Sequence, residues 1–267
     1  MTTGALIFAF NNESTDYVTM AEWSAQNIRR HLNIPVAIVT DCTDHKRNRA
    51  FDRVINMAPQ TGGARWFEDY QATVSWHNAG RTDAYTLTPW DQTLVLDADY
   101  VVASDQLNTL LNSNQEFLAH AHAYDITGVD NFTGLNEYGE YHMPMSWATV
   151  MMFRRCEHAE LIFDCMKMIK DNWKHYKNLY KISSSTYRND HALSIALIIT
   201  GGQTLEHSSI PWGLASLTPK HRVTQIAQDS YRVEYQDQNN RLRWIVLNNQ
   251  DFHAMGKQHL ENIIDPH

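Results

Sequence analysis

Cysteine is scarce in this chain: Cys42, Cys156 and Cys165 are the only three in 267 residues. Their odd number and wide spacing argue against a disulfide framework and offer no metal-type pair, and this usage fits a reducing interior compartment. Long apolar runs are missing too. None approaches the ~18 residues that span a membrane. The N-terminus lacks the basic stretch, apolar core and cleavage site of a secretory leader, so a cytoplasmic, soluble chain is the expectation. Positive charge is in short supply: 22 Lys and Arg stand against 30 Asp and Glu, a formal net charge of −8. That balance argues against indiscriminate nucleic-acid binding but leaves room for a local basic patch. There is no internal repeat and no low-complexity linker, so residues 1–267 read as a single domain.

What is present is a globular composition, 43% hydrophobic and 19% charged, which excludes wholesale disorder. Residues 4–10 (GALIFAF) form a short apolar run of the kind that makes a buried parallel strand. Apolar positions at Tyr17, Met20, Ala21, Ile28 and Leu32 recur at helical spacing. Residues 35–40 (PVAIVT) give a second strand ending at Asp41. Strand, helix, strand implies a right-handed crossover. Residues 54–57 suggest a third strand, and 64–90 read as partly helical with a break near Gly80. Further strands are expected at 93–97, 116–120 and 149–153, and a helix capped by Ser104 runs to Leu111. Residues 125–147 read as a long loop, 157–181 as one long helix and 190–199 as another. Residues 231–235 and 242–247, separated by QDQNNR, read as a C-terminal β-hairpin. The fold class is α/β with a mixed sheet.

The strand at 93–97 runs straight into Asp97-Ala98-Asp99. In open α/β sheets ligands bind beyond the carboxyl ends of the strands, so an apolar strand that ends in two acids points them at a site. Carboxylates are hard oxygen ligands suited to Mg²⁺ or Mn²⁺. A cation held there can also take diphosphate oxygens and stabilise a departing nucleotide. The alternative is an ordinary strand-to-loop transition with two solvated acids.

Residues 81–99, RTDAYTLTPWDQTLVLDAD, resemble the central segment of the retaining glycosyltransferases of family eight. In these glycogenin-like and lipopolysaccharide-galactosyltransferase-like enzymes a basic residue precedes a short helix, a Pro-containing turn and a strand ending Leu-Asp-x-Asp. The opening strand with Asn11 and Asn12, and the second strand ending Thr40-Asp41, look like that family's nucleotide pocket. Residues 189–193 (NDHAL) look like its Asp-Gln-Asp segment, and 252–257 (FHAMGK) like its C-terminal His-x-x-Gly-x-x-Lys motif. The resemblance implies a GT-A type, Rossmann-like mixed sheet flanked by helices, a UDP-sugar donor and Mn²⁺ or Mg²⁺. Carried over, Asp97, Asp99 and His253 would bind metal, while Arg81 and Lys257 would contact the donor. Asn11 and Asp41 would lie in the nucleotide pocket, and Asp190 would stand beside the donor sugar as the candidate catalytic group. Two departures stand out. Lys257 directly follows Gly256, and Trp147-Ala148-Thr149 replaces the usual Asn-x-Gly before its strand.

Read from the residues alone, His253 is one of fourteen histidines, Asp190 is a helix N-terminal acid favoured by the dipole, and Asp41 is a strand-end residue. His120 and His122 alternate onto one side of an extended chain, as a second metal site or an acceptor wall. Trp147, Trp212 and Tyr124 are platforms for a sugar or base, or ordinary packing. Lys167, Lys170, Lys174, Lys177 and Lys181 recur every three or four residues, which on one helix makes a basic stripe. That stripe is either a solvated face or a track for a phosphate-rich acceptor such as DNA with a hydroxymethylated base; a glycan or protein hydroxyl is the broader expectation. Two rival classes are a metal-dependent nucleotidyltransferase and a non-catalytic sugar-binding module. Against the first, residues 10–14 (FNNES) lack a Gly-rich basic loop.

Overall fold

The computed structural model describes residues 1–67, 71–184, 186–202 and 209–264. Its centre is a six-stranded sheet in the order Arg53–Asn56, Val36–Thr40, Thr3–Phe8, Gln92–Leu96, Trp147–Arg154, Phe117–His120. The first four strands are mutually parallel, and Trp147–Arg154 runs antiparallel to both of its neighbours. Val36–Thr40 and Gln92–Leu96 are buried along their whole length, as expected for strands covered on both faces.

The helix Tyr17–Leu32 makes the first crossover, with the limits expected from its apolar spacing. Asp16 starts it by accepting the Thr19 N–H at 3.1 Å, and Asn33, at φ 53°, ends it. On the antiparallel side, helices Glu157–Asp171 and Asn189–Gly201 pack on each other, the second also against Trp147–Arg154.

A smaller sheet stands at the carboxyl end of the central strands, in the order Tyr100–Val101, Phe252–Ala254, Leu214–Leu217, Ala123–Asp125. In it His253 pairs with Tyr100, so the C-terminal strand is carried back to the end of Gln92–Leu96. The expected C-terminal hairpin is present and gains a third strand: Arg222–Ala227, Ser230–Gln236 and Leu242–Asn248 form an antiparallel meander. Its second turn is held by Asp237, whose carboxylate accepts the N–H groups of Asn239 and Arg241, each at 2.9 Å.

Several expectations are corrected. Of residues 64–90, positions 68–70 lie outside the described residues; Gly63–Phe67 pairs with Ala72–Trp76 as a β-hairpin, and helical structure is confined to 79–87. Alternating Thr73, Val74, Ser75 and Trp76 suits a strand, a pattern that a wide helical window blurs. The helix near Ser104 is short, Asn108–Leu111, because Ser104 is drawn instead to Asp251, to which its hydroxyl donates at 2.9 Å. The loop 125–147 holds a small hairpin, Glu137–Tyr138 with Met143–Pro144.

The long helix expected over 157–181 breaks at Asn172 into Glu157–Asp171 and Trp173–Leu179, and Lys181 lies beyond it at φ 53°. The five lysines therefore do not share one helix. Lys170 donates to Gln60 at 2.7 Å and Thr82 at 3.0 Å, and Lys167 faces Asp83 at 3.4 Å. The five lysines make no continuous stripe along one helix, so their placement lends no support to a contact with modified DNA. Among the described residues no helix is long and apolar enough to cross a membrane.

Candidate active site

The strand Gln92–Leu96 delivers Asp97 to the sheet's carboxyl edge, where its N–H donates to Thr149 O at 2.9 Å. The chain turns at once, Tyr100 N–H donating to Asp97 O at 3.1 Å, and this turn sets Asp97 and Asp99 into one cleft. Arg81, 2% exposed, donates through Nη2 to Asp97 and through Nη1 to Ala148 O at 2.7 Å. Burial works against its charge, but the facing Asp97 carboxylate prevails and raises its pKa.

Asp99, unlike the half-buried Asp97, is buried. Its N-terminal position in the smaller sheet is fixed by its own carbonyl, which accepts the Ala254 N–H at 3.0 Å. His253 Nε2 stands 3.6 Å from its carboxylate, and Lys257 donates to the same oxygen and to Ala254 O at 3.2 Å. Burial alone would raise the Asp99 pKa. The Lys257 ammonium, with the His253 ring beside it, overrides it and holds the carboxyl well below the usual range, so Asp99 stays ionised. Ligand atoms of Asp97, Asp99 and His253 all lie within 4.8 Å of one another.

The third wall comes from an irregularity in Trp147–Arg154. Its pairing with Phe117–His120 jumps from Trp147↔His120 to Met151↔Ala119, so the residues between bulge away from that neighbour. The bulge frees main-chain groups for the site. Ala148 O takes Arg81, Ala148 N–H donates to Asp190 Oδ1 at 3.0 Å, and Thr149 O takes the Asp97 amide. The other Asp190 oxygen is bridged by Arg188 at 2.6 and 3.2 Å, and the Arg188 guanidinium lies 5.9 Å from the Trp147 ring.

The structure thus gathers Arg81, Asp97, Asp99, Asp190, His253 and Lys257 in a single cleft. Asn11 and Asp41 are exposed and do not line it; Asn11 accepts the Val18 N–H at 3.0 Å at the start of the first helix. Trp147 lines the cleft, whereas Trp212 and Tyr124 do not. His120 and His122 separate: His120 is fully buried with Nδ1 3.0 Å from Trp212 O, and His122 is exposed beside Gly213. They form no shared metal site.

Asn12, expected with Asn11 in the nucleotide pocket, does line the cleft; Arg188, Trp76, His77 and Asn78 also line it and were not singled out in the sequence. Reading 64–90 as partly helical hid Trp76, which ends the strand Ala72–Trp76, and His77 and Asn78, which follow it. The adjacency Arg188-Asn189-Asp190 was the available signal for Arg188. A second acidic group, Asp125, Asp130 and His221, also clusters. There Asp125 already accepts the N–H groups of Thr127, Val129 and Asp130 at 3.1, 2.9 and 2.8 Å, so it clamps its loop.

No protein-family model matches the chain, and no curated protein matches it. Solved structures of glycosyltransferases are similar to it. The glycosyltransferase GlyE of Streptococcus pneumoniae TIGR4 is 14% identical at a TM-score of 0.45, over 79% of this chain and 46% of that one. This chain therefore spans less than half of the GlyE chain. The galactosyltransferase LgtC, in complex with donor and acceptor sugar analogs, is 13% identical at a TM-score of 0.46, over 74% and 71%. The bifunctional glycosyltransferase WbbM is 16% identical at a TM-score of 0.37, over 63% and 34%.

Proposed function

We propose that the chain is a metal-dependent glycosyltransferase of GT-A type that transfers a sugar from a nucleoside-diphosphate sugar, UDP-sugar first among them, to a hydroxyl acceptor with retention. The observation that carries this reading is the convergence of three distant segments. The strand-end acids Asp97 and Asp99, the C-terminal His253 and the helix-start Asp190 meet in one cleft with two buried cations.

The donor set fits a hard divalent ion. Two carboxylates and a neutral imidazole suit Mn²⁺ or Mg²⁺. Ligands about 2.1 Å from one ion stand at most ~4.2 Å apart, close to the 4.8 Å within which these atoms already gather. Asp97, Asp99 and His253 would hold the ion, which when bound neutralises charge on a diphosphate leaving group. Arg81 and Lys257 supply fixed positive charge to the same oxygens, preorganised in a buried setting where it acts strongly. Phe10, Tyr17 and Trp76 give the cleft apolar surface for a base. Asp190, fixed by Ala148 N–H and Arg188, is the group poised for the donor sugar.

A nucleotidyltransferase is less well supported. Asn12 Oδ1 accepts the N–H groups of Ser14 and Thr15 at 3.0 and 2.9 Å, so amides that a phosphate-cradling loop would present are already used. The test is thermal shift and product analysis with Mn²⁺ and a panel of nucleotide sugars. Stabilisation by a nucleotide sugar plus Mn²⁺, with turnover lost in Asp99→Asn, is the expected result. No response to any nucleotide sugar with any divalent ion refutes the reading.

A further inference from the structure

The C-terminal meander ends in an open edge. The strand Leu242–Asn248 pairs with Ser230–Gln236 on one side, and no described strand pairs with its other side. The phase of the ladder follows from its two ends, where Asp237 N–H donates to Arg241 O and Asn249 N–H donates to Asp229 O, each at 2.9 Å. Antiparallel bonding alternates, so Arg243, Ile245 and Leu247 bond inward to Ser230–Gln236. The N–H and C=O groups of Leu242, Trp244, Val246 and Asn248 then lie along the free edge. The strand runs without a bulge, a proline or a lysine, devices that commonly blunt such an edge.

The side chains over that edge are apolar. Leu242, Trp244 and Val246 share one face, at 71%, 61% and 36% exposure. The Arg232 guanidinium lies 5.5 Å from the Trp244 ring and is itself paired with Glu234 at 2.9 Å. Arg243 is tied back to Asp237 at 3.0 Å. The edge therefore offers main-chain hydrogen bonds and apolar surface, with most of its charge already compensated.

What this edge fits is its own copy. About a two-fold axis through Ile245, the strand meets a second copy antiparallel. Trp244 then stands opposite Val246 of the second copy, and Leu242 opposite Asn248 of the second copy. All four carry their free N–H and C=O groups on the edge, so the bonding phase and the pairing agree. An aromatic opposite a β-branched residue is a favourable cross-strand match. The same axis sets the Arg241 and Arg243 side chains of the two copies at opposite ends of the joint, whereas a parallel pairing would crowd all four. Covering the edge and its apolar stripe on both copies removes on the order of 1,000 Å² from water, which suits a reversible interface and not an obligate one.

We infer that two copies of this chain associate by antiparallel pairing of Leu242–Asn248, which makes one continuous sheet with Trp244 near its centre. The strand lies outside the cleft lining, so the inference stands apart from the glycosyltransferase reading.

The experiment is sedimentation equilibrium of the full chain across the micromolar range, with circular dichroism to confirm folding. The wild type is expected to pass from monomer to dimer. Trp244→Lys puts a charge on an exposed face, and Val246→Pro removes an edge N–H that the fold itself does not use. Each should weaken dimerisation at least tenfold, as a central Trp and a shared ladder require; Trp244→Lys alone decides if Val246→Pro does not fold. A wild type that stays monomeric overturns the inference, as does a dimer that Trp244→Lys leaves intact. A dimer weakened by Trp244→Lys but not by a folded Val246→Pro also overturns it, because the apolar faces then stack without strand pairing.

Discussion

Under the proposed function, Lys257 occupies the place where a metal and a diphosphate would meet, and replacing it makes a sharp prediction. Its ammonium bonds Asp99, an acid 6% exposed, and Ala254 O. A divalent ion can use Asp99 fully only when Lys257 turns away. In the nucleotide-free protein the ion therefore competes with a charge-assisted hydrogen bond of about 1.5–3 kcal/mol. Lys257→Met removes the competitor while keeping the length of the side chain. At about 1.4 kcal/mol per tenfold, Mn²⁺ should bind the variant roughly ten to a hundred times more tightly than the wild type when no nucleotide is present.

The same change has a cost that the ion should reverse. Without metal, the variant leaves a buried carboxylate facing only His253, and breaking a buried pair typically costs about 3–5 kcal/mol. The melting temperature of metal-free Lys257→Met should fall, and millimolar Mn²⁺ should restore most of it, because an ion that binds only the folded state stabilises it by mass action. Electron paramagnetic resonance or calorimetry gives the affinity, and a thermal scan in EDTA and in Mn²⁺ gives the rescue. Equal or weaker Mn²⁺ binding by the variant, with no metal-dependent recovery, would refute the assignment of Lys257 as the ion's competitor.

Two further predictions concern Asp190, in the cleft, and His120, buried outside its lining. Asp190→Asn keeps an oxygen for the Ala148 N–H and loses the charge facing Arg188; kcat should fall at least a hundredfold while UDP affinity stays within about twofold, and parallel losses in both would deny Asp190 a place at the sugar. His120 is buried, and burial lowers its pKa to about 4 against the opposing hydrogen bond to Trp212 O. The folded state therefore stays neutral where the unfolded chain takes up a proton below its ordinary 6.5. Stability contributed by this group is complete above pH ~6.5 and lost by roughly 3 kcal/mol as pH falls toward 4. In urea titrations at several pH values, His120→Asn should flatten that acid limb; an unaltered limb would show that His120 is not the group titrating.

Features written in local periodicity were legible. The helix Tyr17–Leu32 declares itself by its apolar spacing, and the all-apolar strands by their length. The acids could be placed because strand direction alone sets which end carries the site. What stayed hidden depends on tertiary partners. The helix break at Asn172 leaves no proline or glycine to announce it. The bulge after Trp147 arises because the strand satisfies two neighbours with different registers, Val150↔Leu96 on one side and a slipped pairing on the other. The expected Asn-x-Gly is absent from that segment, yet its backbone still serves Arg81, Asp97 and Asp190, since main-chain donors and acceptors do not depend on side-chain identity.

The electrostatics of the cleft bind these pieces together. Each of its three acids has its own internal cation: Asp97 with Arg81, Asp99 with Lys257, and Asp190 with Arg188. The ligand-free cluster is thus balanced, which lets it be buried at all. Adding a divalent ion alone leaves excess positive charge in a poorly solvated space, and adding a diphosphate alone leaves excess negative charge. Adding both restores the balance and frees Lys257 from Asp99 to face the phosphates. Metal and nucleotide should therefore each strengthen the other's binding by the same factor, as linkage requires. In Lys257→Met that factor should shrink, because the acid side of the cluster is then already short of one positive charge and welcomes the ion unaided.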